Sequence, residues 1–245
     1  MSEFQYKEDD HIGESTLDAI SGADQFNRWM YRVISKHTKG EILEIGSGIG
    51  NISGHYLEDG KTITLTDIRK SYCDKLQKKF NSYPNLKGVY LIDLVDANFA
   101  VKYADHLNRY DSIFALNVVE HIKDDHLAIQ NARKMLKPGG NLVILVPAYQ
   151  SLYNSFDLAL EHYRRYTRSG LARLFKANEF EIVHEQYFNF IGILGWYVSG
   201  KLMKNESIPE GQMGLYNALV PVFKVIDRLI MNKIGLSVIC VGKKK

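Results

Sequence analysis

The run Glu41-Ile-Leu-Glu-Ile-Gly-Ser-Gly-Ile-Gly50 narrows what this chain can fold into more than any other segment. An apolar stretch rises there into glycines at alternate positions, Gly46, Gly48 and Gly50. The next apolar run, Thr62-Ile-Thr-Leu-Thr66, ends on an acid, Asp67. Strand, tight glycine turn, helix start and a second strand closed by a carboxylate is the order that seats a nucleoside-containing ligand on a parallel sheet. Glycines let the backbone approach such a ligand closely, and the helix that follows offers free N–H groups.

The same alternation continues downstream. Residues 22–37 carry apolar side chains at three- and four-residue spacing (Ala23, Phe26, Trp29, Met30, Val33, Ile34), the period of an amphipathic helix. Strands are expected at 41–46, 62–66, 88–92, 112–116 and 141–146, with helices at about 51–57, 70–80 and from Asp124 or Asp125 onward. Leu136-Lys-Pro-Gly-Gly140 reads as a helix stop and turn. Short apolar strands separated by helices imply a parallel sheet covered on both faces. Asp67, Asp93, Asn117 and the glycine turn all follow strand ends, so they converge on one crevice at the carboxyl edge. After Pro147 come a Tyr/Arg/His-rich stretch, a helix over about 169–177, and two runs, 180–187 and 237–242, suited to a closing antiparallel pair. The segment between them is too long for a hairpin loop, is aromatic (Phe188, Phe190, Trp196, Tyr197), and holds a helical pattern from Leu215 to Met231. It reads as a cap over the crevice. The expected organisation is one domain: an N-terminal helical segment (1–37), a ligand-binding core (38–187), an apolar helical insertion (188–234) and a last strand with a basic tail (235–245).

Bulk properties exclude several classes. A formal charge of +3 is mild, and no clustered basic footprint of a nucleic-acid binder is present. Cys73 and Cys240 make neither a metal-ligand spacing nor a disulfide framework. The acidic opening MSEFQYKEDD is unlike a signal peptide, and Phe188–Val198 falls short of the roughly 20 residues a spanning helix needs. A cytoplasmic protein is expected, with peripheral membrane contact through the cap as an option. No Gly-Lys-Ser/Thr follows the glycines, which excludes a phosphate-binding Walker loop. For a dinucleotide the third glycine comes one residue early, and Asn51 stands in its place.

Five motifs, in order, resemble those of class I S-adenosylmethionine-dependent methyltransferases over residues 22–187: Glu44–Gly50, Asp67, Asp93-Leu94, Asp111–Ile122 and 136–140. The resemblance implies an α/β, Rossmann-like fold: a seven-stranded, mostly parallel sheet with helices on both faces, an antiparallel last strand and a helical cap insertion. It implies S-adenosylmethionine as cofactor. Asp67 would then hold the ribose hydroxyls, Asp93 the adenine amine, and Ile68 and Leu94 the ring faces. The turn through Gly46, Ser47, Gly48 and Asn51 would admit the methionine portion, with Glu44 or the backbone near Asn117 and Val118 meeting its ammonium. Trp29, on the first helix, would close over the cofactor or pack on the sheet.

On the acceptor side, Val118-Val-Glu120-His121 resembles the same region of quinone-biosynthesis O-methyltransferases. Some of those use an acid three residues before the Glu-His pair to bind a metal; Asn117 stands there, so no metal is assigned. Glu120 and His121 either contact substrate or pack beneath the site. Glu161-His-Tyr-Arg-Arg-Tyr-Thr167 resembles a segment of many bacterial methyltransferases that borders the acceptor pocket. An imidazole such as that of His162 suits proton removal near neutral pH, and Arg164 or Arg165 suits a carboxylate or phosphate on the acceptor. The structural alternative is a helix start pinned by Asp157 or Glu161. Tyr149, Tyr153 and Tyr166 serve equally as pocket wall or core. These readings point to methylation of an oxygen, before a nitrogen, of a hydrophobic or lipid-like small molecule. The rivals are an NAD-dependent reductase and a non-catalytic cofactor-binding or membrane-associated partner protein.

Overall fold

The structure, a computed structural model, describes residues 11–205 and 211–245. The acidic N-terminal decapeptide lies outside the described residues. Helices α1 (His11–Ser21) and α2 (Asp24–Ile34) precede β1 (Ile42–Ile45), α3 (Ser53–Glu58), β2 (Ile63–Asp67), α4 (Lys70–Phe80) and β3 (Leu86–Leu91). Short α5 (Phe99–Lys102), β4 (Tyr110–Leu116), α6 (Asp125–Met135) and β5 (Leu136–Pro147) follow. The chain then forms α7 (Ser155–Ala159), α8 (Arg168–Ala177), β6 (Phe180–Phe188), α9 (Gly192–Trp196) with a π-helical continuation over Tyr197–Leu202, α10 (Gln212–Leu229) and β7 (Ser237–Lys244).

The seven strands make one sheet in the order β3-β2-β1-β4-β5-β7-β6, parallel except where β7 runs antiparallel to both neighbours. This is the sheet expected from sequence, and the expected closing pair is β6–β7. Side chains alternate across it with period two. Leu43, Ile45, Ile113, Ala115, Leu142 and Ile144 fill one face beneath α6 and α8, while Ile42, Phe114, Val143 and Leu145 fill the other beneath α2 and α10. Each such aliphatic side chain contributes roughly 1.5–3 kcal/mol on burial.

Local signals act where they should. Asp124 caps α6 by accepting from the Leu127 N–H at 2.9 Å, and Thr167 caps α8 by accepting from the Gly170 N–H at 3.1 Å. Two differences have physical causes. Leu136–Gly140, expected as a turn, extends β5: Leu136 pairs with Tyr110, the register shifts, and Ser112 pairs with Asn141. The Leu136 carbonyl accepts from Lys244 Nζ at 2.6 Å, a partner that no local pattern reveals. The helix expected over 22–37 ends at Ile34, tightens to a 3-10 turn over Ser35–His37, and is preceded by the separate α1.

β6 runs parallel to β5, and Phe188 and Pro147 both pair with Ser237 on β7. The segment expected as a cap therefore springs from the carboxyl edge of the sheet, the edge at which parallel α/β sheets bind ligands. Asp227 on α10 fastens its root by accepting from the Asn189 and Phe190 N–H groups at 2.7 and 2.9 Å.

Candidate active site

The glycine turn is built as its residue types require. Gly46, Gly48 and Gly50 have φ of 68°, 53° and 81°, the left-handed region open to glycine. A Cβ on Gly46 would drive into Val118, which fixes how closely the β4 loop approaches the turn. Asp67, buried at the end of β2, accepts from the Gly48 N–H at 2.9 Å and the Arg69 N–H at 3.0 Å. Burial pushes its pKa up, opposed by those two N–H groups. The carboxylate thus grips the glycine turn and retains acceptor capacity for two hydroxyls. Beneath it Glu44 is buried and accepts from the Ser53 hydroxyl, and burial pushes its pKa to about 8. Ser47 is also buried, its hydroxyl accepting from the Thr66 N–H at 3.3 Å.

The remaining cofactor-side candidates occupy the expected edge. Ile68 is half-buried behind Asp67, and Asp93 turns its carboxylate onto the Val95 N–H at 2.9 Å. Leu94 is buried in the main core. Asn117 is exposed with φ 53°, a left-handed conformation that asparagine tolerates, and its N–H donates to the Leu145 carbonyl at 2.8 Å. The helix that reaches the glycine turn is α1. Leu17 would lie 2.9 Å from a Cβ on Gly48, and Asn51 Nδ2 donates to the Leu17 carbonyl at 3.0 Å. Trp29 takes the packing option: it sits buried between Phe26 and Phe188, 4.4 Å from the latter ring centre to centre. No sequence pattern marked Leu17.

On the acceptor side, β4 leads into a 3-10 turn over Val119–His121, and the Tyr163 N–H donates to the Glu120 carbonyl at 2.8 Å. That bond draws His162 against Glu120 and His121. The two imidazole rings meet edge to face at 4.6 Å. One ligand-capable atom from each of the three residues lies within 4.8 Å of the others, so the trio has the spacing to hold a single cation. Glu120 is fully buried, and among the described residues neither carboxylate oxygen has a hydrogen-bond partner. Burial pushes its pKa to about 7, although His162 and Arg165 pull the other way. Burial, with His162 and Arg69 nearby, lowers His121 to about 3. The influence of Arg69, two residues beyond Asp67, ties this cluster to the ribose-side loop.

His162 is oriented by Asp157, which sequence reasoning weighed only as a pin for the helix start. Nδ1 lies 2.8 Å from Asp157 Oδ1, and both groups are buried. With the proton assigned to Nδ1, the other ring nitrogen is a free base. Asp157 also accepts from the Asn154 N–H at 3.0 Å and takes Arg165 Nη1 at 3.0 Å on both oxygens. Burial alone would raise Asp157, but the His162 hydrogen bond and the Arg165 charge hold it below its usual range.

Arg164 and Tyr166 share one anion, and Tyr166 takes the core option. Asp125 supplies the anion for both: Arg164 Nη1 lies 2.8 Å from its carboxylate, and the Tyr166 hydroxyl donates to it at 2.8 Å. Arg164 also donates to the Lys123 carbonyl at 2.7 Å. Arg165 is a buried strut, donating to the Ala148 carbonyl at 2.8 Å and stacking its guanidinium 5.1 Å from the centre of the Trp196 ring.

A family model described as a methyltransferase domain matches residues 24–185. The chain belongs to that family. Among curated relatives, a hybrid polyketide–nonribosomal peptide synthetase, thnA, of Trichoderma harzianum is 30% identical over 135 residues, which is 51% of this chain and 3% of that protein. Fusarielin synthase FSL1 of Gibberella zeae is 30% identical over 118 residues, 46% of this chain and 4% of that protein. The chain therefore spans only a small part of these relatives. Among solved structures, phosphoethanolamine N-methyltransferase 2 of Haemonchus contortus, in complex with S-adenosyl-L-methionine, aligns with TM-score 0.62 at 16% identity over 100% of this chain and 61% of that one. A SAM-dependent methyltransferase from Archaeoglobus fulgidus aligns with TM-score 0.59 at 17% identity, covering 91% and 94%. The fold is that of the class I methyltransferases, whose cofactor is S-adenosylmethionine. This methyltransferase's own residues fit that cofactor: a turn open only to glycine, a second-strand carboxylate with spare acceptor sites, and a half-buried Ile68 beside it.

Proposed function

We propose that this methyltransferase transfers the methyl group of S-adenosylmethionine to an oxygen, before a nitrogen, of a hydrophobic or lipid-like small molecule, with His162 as the base. The cofactor supplies a methyl already activated on a sulfonium. The protein's part is to align it with the acceptor, exclude water and take up a proton. Asp67 and the glycine turn would hold the nucleoside end, and Asp93 would accept from the adenine amine. At the acceptor, the hydroxyl proton would pass to His162 as the oxygen takes the methyl group and the sulfonium–methyl bond breaks, leaving S-adenosylhomocysteine as a neutral thioether. Asp157 fixes the orientation of the ring through Nδ1 and would stabilise the imidazolium that forms.

The observation that carries this reading is the buried Asp157–His162 pair, aimed at an unpartnered Glu120 on the edge where the apolar cap is rooted. The mild net charge and the aromatic pairs at the root of the cap, Tyr149 stacked on Tyr187 and Phe156 tilted against Trp196, favour a small, greasy acceptor over a nucleic acid. Among the described residues no helix is long and apolar enough to cross a membrane. Cys73 and Cys240 are buried thiols, which suits a reducing compartment and favours the cytoplasm. Carbon methylation is the second reading. The relatives named as polyketide synthases favour it, and the same imidazole would remove a proton from a carbon flanked by carbonyls.

The test is a labelled-methyl transfer assay against phenols, long-chain hydroxy acids, amines and β-keto thioesters. Turnover of a phenol or hydroxy acid that collapses in His162→Ala supports the proposal. Calorimetric binding of the cofactor with no turnover of any acceptor sinks it. A thermal shift with NADH in place of S-adenosylmethionine would favour the reductase.

A further inference from the structure

The cap carries a surface that methyl transfer does not use. The inner face of α10, Tyr216, Val220, Phe223 and Asp227, packs on α2 and the root of the cap. Its outer face presents Leu215, Leu219, Val222, Val225 and Leu229, between 42% and 76% exposed. Spacings of three and four residues place them in one stripe along an 18-residue helix, roughly 27 Å long. The other arm of the cap exposes Leu194, Leu202 and Met203 as well, each above 60%. Few folded proteins leave so much aliphatic surface on one element without a use for it.

Among the described residues, the exposed charge around the stripe is cationic. In the cap's described residues, Lys201, Lys204, Lys224, Arg228 and Lys233 are cationic, and the acid among them, Asp227, is buried and spent on two backbone N–H groups. Lys224 and Arg228 flank the stripe on the side where α10 meets α2. There Lys224 feels the like charges of Arg32 and Arg28, which with burial lower its pKa. An apolar face edged by unneutralised cations is the pattern of a helix lying in the interface of an anionic bilayer.

We propose that the outer face of α10 docks the protein onto anionic phospholipid membranes, with Lys224 and Arg228 meeting the headgroups. The helix lies in the membrane plane, its aliphatic side chains among the upper acyl carbons. The cap grows from the carboxyl edge of the sheet, so the same contact brings the crevice to the lipid surface. The inference stands whether or not the acceptor is itself a lipid.

Sedimentation of the full chain with vesicles tests it. Binding to vesicles of equal parts phosphatidylglycerol and phosphatidylcholine is expected, with little binding to phosphatidylcholine alone and loss at high salt. Leu219→Glu with Val222→Glu should abolish binding while S-adenosylmethionine affinity, read by calorimetry, stays unchanged. Lys224→Gln with Arg228→Gln should weaken it roughly thirtyfold, since each basic residue near such a surface is worth about a factor of five. Failure to bind the anionic vesicles overturns the proposal, as does binding that survives the glutamate pair. A dimer in solution that the glutamate pair splits into monomers also overturns it, because the face then covers a second copy.

Discussion

Asp157 and His162 share a 2.8 Å hydrogen bond inside the protein, and Arg165 closes on the same carboxylate from the other side. One buried acid thus orients a base and is itself locked by a cation. Removing the base should be costlier than removing its orienter. His162→Ala is expected to lower kcat about 100-fold or more with little change in cofactor affinity. Asp157→Asn should lower kcat less and distort the pH profile, because an amide can stabilise the wrong tautomer. Steady-state kinetics across pH checks both; equal activity in His162→Ala would remove the imidazole from the reaction.

Glu120 yields a prediction in the opposite sense, of stabilisation by mutation. Its pKa is raised from an ordinary carboxylate value to about 7 by burial, so the folded protein holds a proton there that the unfolded chain has released. Stability from this group is present below the unfolded pKa and drains away as pH rises through about 7. Glu44, raised to about 8, acts in the same direction, whereas His121, lowered to about 3, adds stability as pH climbs from about 3 to its unfolded value. Glu120→Gln should therefore be near neutral at pH ~5 and stabilising by on the order of 3 kcal/mol at pH ~8. Urea melts at the two pH values check this, and a variant destabilised equally at both would show that the ionised carboxylate is well partnered.

The same cluster has the spacing for a cation, but a methyl group already carried on sulfur needs no Lewis acid. Dialysis against a chelator is expected to leave turnover unchanged. Loss of activity restored by magnesium or manganese would reassign Glu120, His121 and His162 as metal ligands.

Asp67 should dominate cofactor affinity. It accepts two backbone N–H groups and retains room for two hydroxyls, and hydrogen bonds to a charged group contribute roughly 1.5–3 kcal/mol each. Asp67→Asn is expected to weaken S-adenosylmethionine binding at least about tenfold by calorimetry. An unchanged affinity would place the ribose elsewhere.

The parallel sheet was legible because its signals are local: short, nearly continuous apolar runs in β4 and β5, a glycine turn after β1, acids at the ends of β2 and β3, Asp124 capping α6. The extension of β5 through Leu136–Gly140 was not, because Pro138 and two glycines read as a stop while the pairing that overrides them comes from Tyr110 and Lys244, remote in sequence. Glu120, His121 and His162 were each visible as chemistry-bearing residues, but their convergence depends on the long-range bond from the Tyr163 N–H to the Glu120 carbonyl. Asp157 and Leu17 carried weak signals, one a helix-capping acid and the other an ordinary leucine. Position in the fold, and not residue type, gives them their roles.

Adjacent arginines in one segment should separate cleanly. Arg165 is buried, pairs with Asp157 on both oxygens, donates to the Ala148 carbonyl and lies over Trp196, so it joins the β5 end, α7 and the cap. Arg165→Met leaves the buried carboxylate of Asp157 without its cation, and breaking such a pair typically costs about 3–5 kcal/mol. Arg164 has about a third of its side chain in solvent and holds Asp125, which Tyr166 also engages. That pair is less buried than Arg165–Asp157, so Arg164→Ala should melt above Arg165→Met and keep its kcat. If instead Arg164→Ala raises KM for an anionic acceptor while Arg165→Met folds normally, the assignments of the two residues are exchanged, and the acceptor carries the charge that Asp125 satisfies here.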